Sequence, residues 1–211
     1  PELLDWLTTT FIENGWSFKR LHRTILLSAT WQQSAQHPNA EHNQSVDPGE
    51  RLLWRARVRR LQAEQIRDAM LAATEELEPT VGGPSVDDSK PRRSLYLKSF
   101  RNQNDTFLHG FDVANGLQSV ATRDTTTTPL QSLLLFNGKF ASARAHALAK
   151  RLSDGPQSPE PTIRHAFRLI WGVEPSDAEL ESAMRLVQLE STGLADFIHV
   201  LFNSSRFLYL E

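Results

Sequence analysis

From Arg57 to Leu77 the sequence carries two patterns at once. Ala63, Ile66, Met70, Ala73 and Leu77 recur at helical spacing and form one apolar stripe, which requires a helix with one face against a core. Arg60, Glu64 and Arg67 fall together beside that stripe, Arg60–Glu64 at i,i+4 and Glu64–Arg67 at i,i+3. Charges next to a core-facing stripe are either a structural ion network or a site, and spacing leaves both readings open. On either reading, Arg60, Glu64 and Arg67 should meet the irregular middle of the chain rather than open solvent.

The same periodicity recurs elsewhere and sets the fold class: mainly α, an irregular helical bundle with one or two short extended segments in the middle. Leu4, Leu7, Phe11 and Ile12 mark a first helix that Asn14-Gly15 stops. Ser17 is an N-cap for a second helix with Phe18, Leu21, Ile25 and Ala29 on one face, and the two should form a hairpin. Residues 34–46 read as a polar loop. Asp47-Pro48-Gly49-Glu50 has the order of an N-cap, a first-turn Pro and a capping-box Glu, predicting a helix through Trp54 that breaks near 58–60 and resumes to Leu77, with Pro79 ending it.

Between 78 and 127 the pattern loosens. Gly82-Gly83-Pro84-Ser85 and Asn115-Gly116 are turns, Arg92 to Lys98 reads as extended, and Phe107, Leu108 and Phe111 mark a short helix. The Thr125–Thr128 run is extended, with Thr128 capping a helix from Leu130 to Leu152 that Asn137-Gly138 kinks or splits. Asp154-Gly155-Pro156 breaks the chain. Three helices follow, marked by Ile163, Phe167 and Ile170, by Leu180, Met184 and Val187, and by Leu194, Ile198 and Leu201. These patterns predict a helical subdomain over 1–152, with an irregular centre, and a three-helix subdomain over 153–211 packed on it in one compact domain.

Composition narrows the chemistry. The 211 residues suffice for a substantial core, and the net charge of −2 provides no overall electrostatic basis for binding nucleic acid. Without Cys there is no disulfide, thiolate metal site, Cys nucleophile or Cys-x-x-Cys-His haem attachment in this chain. No apolar run is long enough to span a membrane. The seven His show no i,i+4 pair and no His-Glu-x-x-His, so no metal ligands are assigned. Gly82-Gly83 lacks the Lys-Ser/Thr of a phosphate loop, and no Gly-x-Ser-x-Gly elbow exists.

What remains is a set of charges: Arg60, Glu64, Arg67 and Asp68 on or beside the helix, Arg92, Arg93 and Arg123-Asp124 in the middle, and Asp105 and Asp112 as carboxylate partners. Arg60, Glu64, Arg67, Asp68, Arg92, Arg93, Asp112 and Arg123 are the candidate ligand-binding residues, with arginine forks suited to an anion or an anionic polysaccharide. An enzyme acting on sugars would instead use Glu64, Asp68 or Asp112 as acid–base groups across a cleft. No residue is assigned as catalytic, and the leading reading is non-enzymatic.

Several segments occur in an order that resembles a known family. They are Asn14-Gly15-Trp16-Ser17-Phe18-Lys19-Arg20-Leu21-His22-Arg23 with Ser28 to Ser34, Asp47-Pro48 with Arg51 to Arg55, Arg60 to Met70, Gly82-Gly83-Pro84-Ser85, Arg92 to Tyr96, and Leu194 to Leu208. They resemble the planctomycete surface domain, of unknown function, found C-terminal to cytochrome-c-like modules. Members of that family often have a Pro near position 58 or 59, and this chain has none. The resemblance implies an accessory module of a larger exported protein, periplasmic or at the cell surface, near polysaccharide breakdown. Any haem would belong to an upstream module, and the partners would be the parent's other domains. The family supplies no established catalytic residues.

Overall fold

A computed structural model describes residues 1–100, 106–113, 121–123, 125–155, 158–189 and 192–210. The Asn115-Gly116 turn, Asp105, Asp124 and Pro156 lie outside the described residues. The protein is a mainly helical, irregular bundle with one short two-stranded sheet. It divides into two compact units, Pro1–Arg59 and Arg60–Leu210.

The first unit holds helices α1 (Glu2–Glu13), α2 (Phe18–Leu26) and α3 (Ala40–Val46). The α1–α2 hairpin forms as its signals predict. Gly15 and Trp16 both take left-handed φ, and the Ser17 hydroxyl accepts from the Arg20 N–H at 3.4 Å. Phe11 meets the rings of Trp16 and Phe18 at 5.4 and 5.2 Å.

Two expectations fail here. Residues 40–46, read as loop, are α3, and the helix expected from Asp47 to Trp54 does not form. Glu50 and Leu53 have left-handed φ, which no helix tolerates. The Asp47 carboxylate accepts from the Leu52 N–H at 2.8 Å, closing a turn, and Glu50 binds Arg55 at 2.7 Å and Arg57 at 3.4 Å in place of the helix start.

The second unit begins at Arg60, in the two-residue strand β1 (Arg59–Arg60), whose partner is β2 (Tyr209–Leu210). Helix α4 (Ala63–Ala73) follows, and its stripe of Ala63, Ile66, Met70 and Ala73 is buried as the periodicity requires. Full burial of Ile66 and Met70 contributes about 1.5–3 kcal/mol each. Leu77 lies past the helix end, because Glu75 takes a left-handed φ and the Leu77 N–H turns back to the Leu71 carbonyl.

The middle is tied by isolated bridges between Glu78 and Arg92 and between Val86 and Leu97. Ser94–Tyr96 form a 3₁₀ turn where an extended segment is expected, and the Thr125–Thr128 run forms no strand. Arg92 and Leu97 are themselves bridge residues and Thr128 is extended, so short extended segments do lie in the middle, while the sheet pairs Arg59–Arg60 with Tyr209–Leu210. Helix α5 (Thr106–Gly110) buries Phe107 and Leu108.

Thr128 caps α6 (Pro129–Asn137), and Gly138 separates it from α7 (Lys139–Ser153), so the expected break is a split. A Cβ at Gly138 would lie 2.0 Å from the Leu134 carbonyl oxygen, and only glycine fits that junction. The core is completed by α8 (Pro159–Trp171), α9 (Asp177–Leu189), α10 (Gly193–Phe202) and α11 (Ser205–Leu208). Ala141, Ala145 and Leu148 of α7 are buried, and so are Phe197, Ile198 and Leu201 of α10, which packs between α7 and α9. The small side chains of α7 let its neighbour approach closely. The segment around 153–160 lies within this unit.

Candidate functional site

Seven of the eight candidate residues fall into three separate clusters around α4, and the eighth, Arg93, is exposed. Arg60 stands before the helix, in β1, so the expected i,i+4 pair with Glu64 is replaced by contacts far away in sequence. Its Nη2 donates to the Asp112 carboxylate at 2.7 Å, and its Nη1 donates to the Gln131 side-chain oxygen at 2.6 Å and to the Thr126 carbonyl. Arg60 is 9% exposed. Asp112 also accepts from the Thr126 N–H and hydroxyl, both at 2.8 Å, and from the Gln131 amide at 3.2 Å. Burial acts to raise the Asp112 pKa, but the Thr126 and Arg60 hydrogen bonds and the Arg60 charge outweigh it, and its carboxyl titrates below the ordinary value of 3.8.

Arg67 faces the other side of the middle segment and is 2% exposed. Its guanidinium donates to the carbonyls of Asp88, Lys90 and Arg92, each at 2.9 Å, and to the Ser94 hydroxyl at 3.4 Å. Asp68, one residue on, accepts from the Ser94 N–H at 2.8 Å and from its hydroxyl at 2.7 Å. Together the two fasten residues 88–94 to α4. The 3₁₀ turn over Ser94–Tyr96 follows from this anchoring, since the Ser94 N–H that a strand would pair is taken by Asp68.

Arg92 is buried too, and turns away from Arg67. It donates to the carbonyls of Thr80, Gly82 and Pro84 at 3.1, 2.6 and 3.1 Å, and its guanidinium lies 4.3 Å from the centre of the Tyr96 ring. The Gly82 N–H donates to the Tyr96 hydroxyl at 3.0 Å. The Gly82-Gly83 turn is thereby held as a loop closed on Arg92, with the Gly82 N–H taken by Tyr96. The remaining candidates are outermost. Arg123 binds both Glu64 oxygens at 2.8 Å, and Arg93 is exposed.

The structure thus joins Arg60 with Asp112, Arg67 with Asp68, and Glu64 with Arg123, and places Arg60, Glu64 and Arg67 against the irregular middle. It does not bring all eight residues to one point. Sequence reasoning missed Gln131, Thr126 and Ser94, which complete the first two clusters. Gln131 had a legible signal: Thr128-Pro129-Leu130-Gln131 has the spacing of a capping box, and the Gln131 oxygen accepts from the Thr128 N–H at 3.2 Å. Thr126 and Ser94 carried none. Among the described residues no group of three or more His, Asp or Glu is placed to hold a metal ion. His199 bonds to the Leu135 carbonyl at 2.8 Å, linking α10 to α6. No helix among the described residues is long and apolar enough to cross a membrane.

The chain belongs to the family described as PSD1, protein of unknown function (DUF1553), whose model matches residues 1–187. This is the planctomycete surface-domain family that the ordered segments resemble. No curated protein and no solved structure matches the chain.

Proposed function

We propose that this chain is a non-catalytic helical module that supports or docks other domains of a larger exported protein, periplasmic or at the cell surface. The observation that carries the reading is how the charged cluster is used. Arg60, Arg67 and Arg92 are buried and commit their Nη donors to Asp112, Gln131, Ser94 and the chain's own carbonyls. Asp68 and Asp112 are likewise held by groups of the same chain. Side chains fixed in this way brace an irregular segment against a helix, and a reacting substrate would have to displace those partners. Docking is supported by the first unit, where Trp16, Phe18 and Trp31 are exposed together with Leu3, Leu4 and Trp6. Any haem would be carried by another module of the parent.

A turnover assay on a panel of neutral and anionic polysaccharides tests the non-catalytic reading. The expected result is no product above buffer. Hydrolysis that Glu64→Gln, Asp68→Asn or Asp112→Asn abolishes, with the helical circular-dichroism signal intact, overturns it.

A second reading, an anionic-polysaccharide site, is favoured by the position of Arg93 and Arg123 at the outer edge of the cluster. Calorimetric titration with a sulfated polysaccharide decides it. Binding that Arg93→Ala plus Arg123→Ala removes supports the site, and binding unchanged by that pair removes it.

A further inference from the structure

The first unit carries a surface that its own side chains leave uncovered. Neither α1 nor α2 buries a residue, and along α2 and the turns beside it Trp16, Phe18, Ile25, Leu26, Leu27 and Trp31 are exposed. Trp16 adds backbone strain. Its φ is 59°, in the left-handed region that glycine takes freely and a bulky side chain does not, yet the residue is 66% exposed, with its ring edge-on to Phe11. The indole N–H groups of Trp54 and Trp171 donate to the carbonyls of Asp47 and Leu201. Among the described residues those of Trp16 and Trp31 have no such partner. Folding alone gives no reason for an indole at that turn.

Charge identifies what the surface meets. From Asn14 to Ala40 there is no Asp or Glu, whereas α2 carries Lys19, Arg20 and Arg23. Ser17, Arg20, Leu21 and Thr24 face α1. At about 100° per residue, Phe18, His22, Ile25 and Leu26 form a neighbouring strip, bordered on the side away from α1 by Lys19 and Arg23. Both cations are exposed, and neither is in an ion pair among the described residues. An apolar strip edged by cations, with free indoles at its two ends, matches a bilayer interface. The apolar side chains enter the acyl boundary, the indole N–H groups reach headgroup oxygens, and the cations meet anionic lipid. An amphipathic helix can also dock in a protein groove. The terminal indoles and the lack of any acid favour a uniformly anionic sheet over one matched set of partner charges.

We propose that α2, with Trp16 and Trp31, is a peripheral binding face for an anionic lipid bilayer. This goes beyond the docking of other domains. Leu3, Leu4 and Trp6 lie outside the face, so docking through them does not depend on it.

Co-sedimentation of the full chain with vesicles tests this, using phosphatidylcholine alone and phosphatidylcholine with about one third phosphatidylglycerol. The expected result is saturable binding to the anionic vesicles, at least about tenfold stronger than to the neutral ones and weakened by raising NaCl from about 0.05 to 0.5 M. Trp16→Gly plus Trp31→Ser should weaken binding at least about tenfold with the helical circular-dichroism signal kept, because glycine suits the left-handed turn. Lys19→Glu plus Arg23→Glu should remove the preference for anionic lipid. Absence of binding to the anionic vesicles overturns the proposal. So do equal binding to both vesicles, or parent-like binding by both variants. A chain that ignores the vesicles but forms a dimer that Trp16→Gly plus Trp31→Ser abolishes would assign the face to a second copy, and overturns it too. Turnover of a polysaccharide would contradict the non-catalytic reading and leave this face standing.

Discussion

The two units of this chain are helical for different reasons. In the first, α1 and α2 rest on local devices: the Ser17 cap, the left-handed turn at Gly15 and Trp16, and the Phe11 ring between Trp16 and Phe18. Among its described residues Ala35 is the one buried apolar side chain. In the second, α4, α7, α8 and α10 share a core that runs from Ile66 to Phe202, and buried arginines fasten the irregular middle to it. Helical pattern alone does not distinguish these cases. Local signals decide whether a segment is helical, and burial decides whether it is stable without a partner.

Separating the units should have the largest effect. Residues 60–211 should unfold cooperatively when made alone, while residues 1–59 should give little helical signal in isolation, measured by circular dichroism against urea. A cooperative transition in the 1–59 fragment would break the contrast. Within the second unit, Arg67→Met strands three backbone carbonyls and should lower stability by about 4 kcal/mol in chemical denaturation.

Asp112→Asn comes next. Residue 112 has a φ of 64°, which Asn tolerates, so the backbone conformation survives while the charge and one of the two acceptor oxygens are lost. The cost at pH 7 should be about 2 kcal/mol. The folded pKa of Asp112 is lowered, so its stabilisation is present above the unfolded value of 3.8 and is lost as pH falls through the folded one. The gap between parent and variant should therefore close below about pH 4. A gap that is constant with pH would contradict the assignment of that charge to Arg60. Arg123→Ala should matter least: its pair with Glu64 is 36% and 26% exposed, and the change should stay below about 1 kcal/mol.

Much of the second unit was legible because its signals were local and agreed with burial. The Ala63, Ile66, Met70, Ala73 stripe, the Thr128 cap and the Asn137-Gly138 break each act within a few residues. The stretch from Asp47 to Trp54 was misread for the same reason. Its capping-box pattern was genuine, but Glu50 found Arg55 and Arg57, and the backbone at Glu50 and Leu53 turned left-handed. The candidate cluster was legible only in part. Residue types named Arg60, Arg67 and Asp112, but partners 71 and 52 residues from Arg60 follow no local spacing. Helical periodicity placed Arg60 on a helix that begins three residues later.

The central claim is that the charged cluster braces the second unit. A double-mutant cycle on Arg60 and Asp112 tests it most directly, using Arg60→Met, Asp112→Asn and the double variant under denaturant at pH 7. Each single change should cost about 2 kcal/mol or more, with the double far less destabilised than the sum and a coupling of about 1.5 kcal/mol or more. Single variants within about 0.5 kcal/mol of the parent, with additive effects, would contradict it.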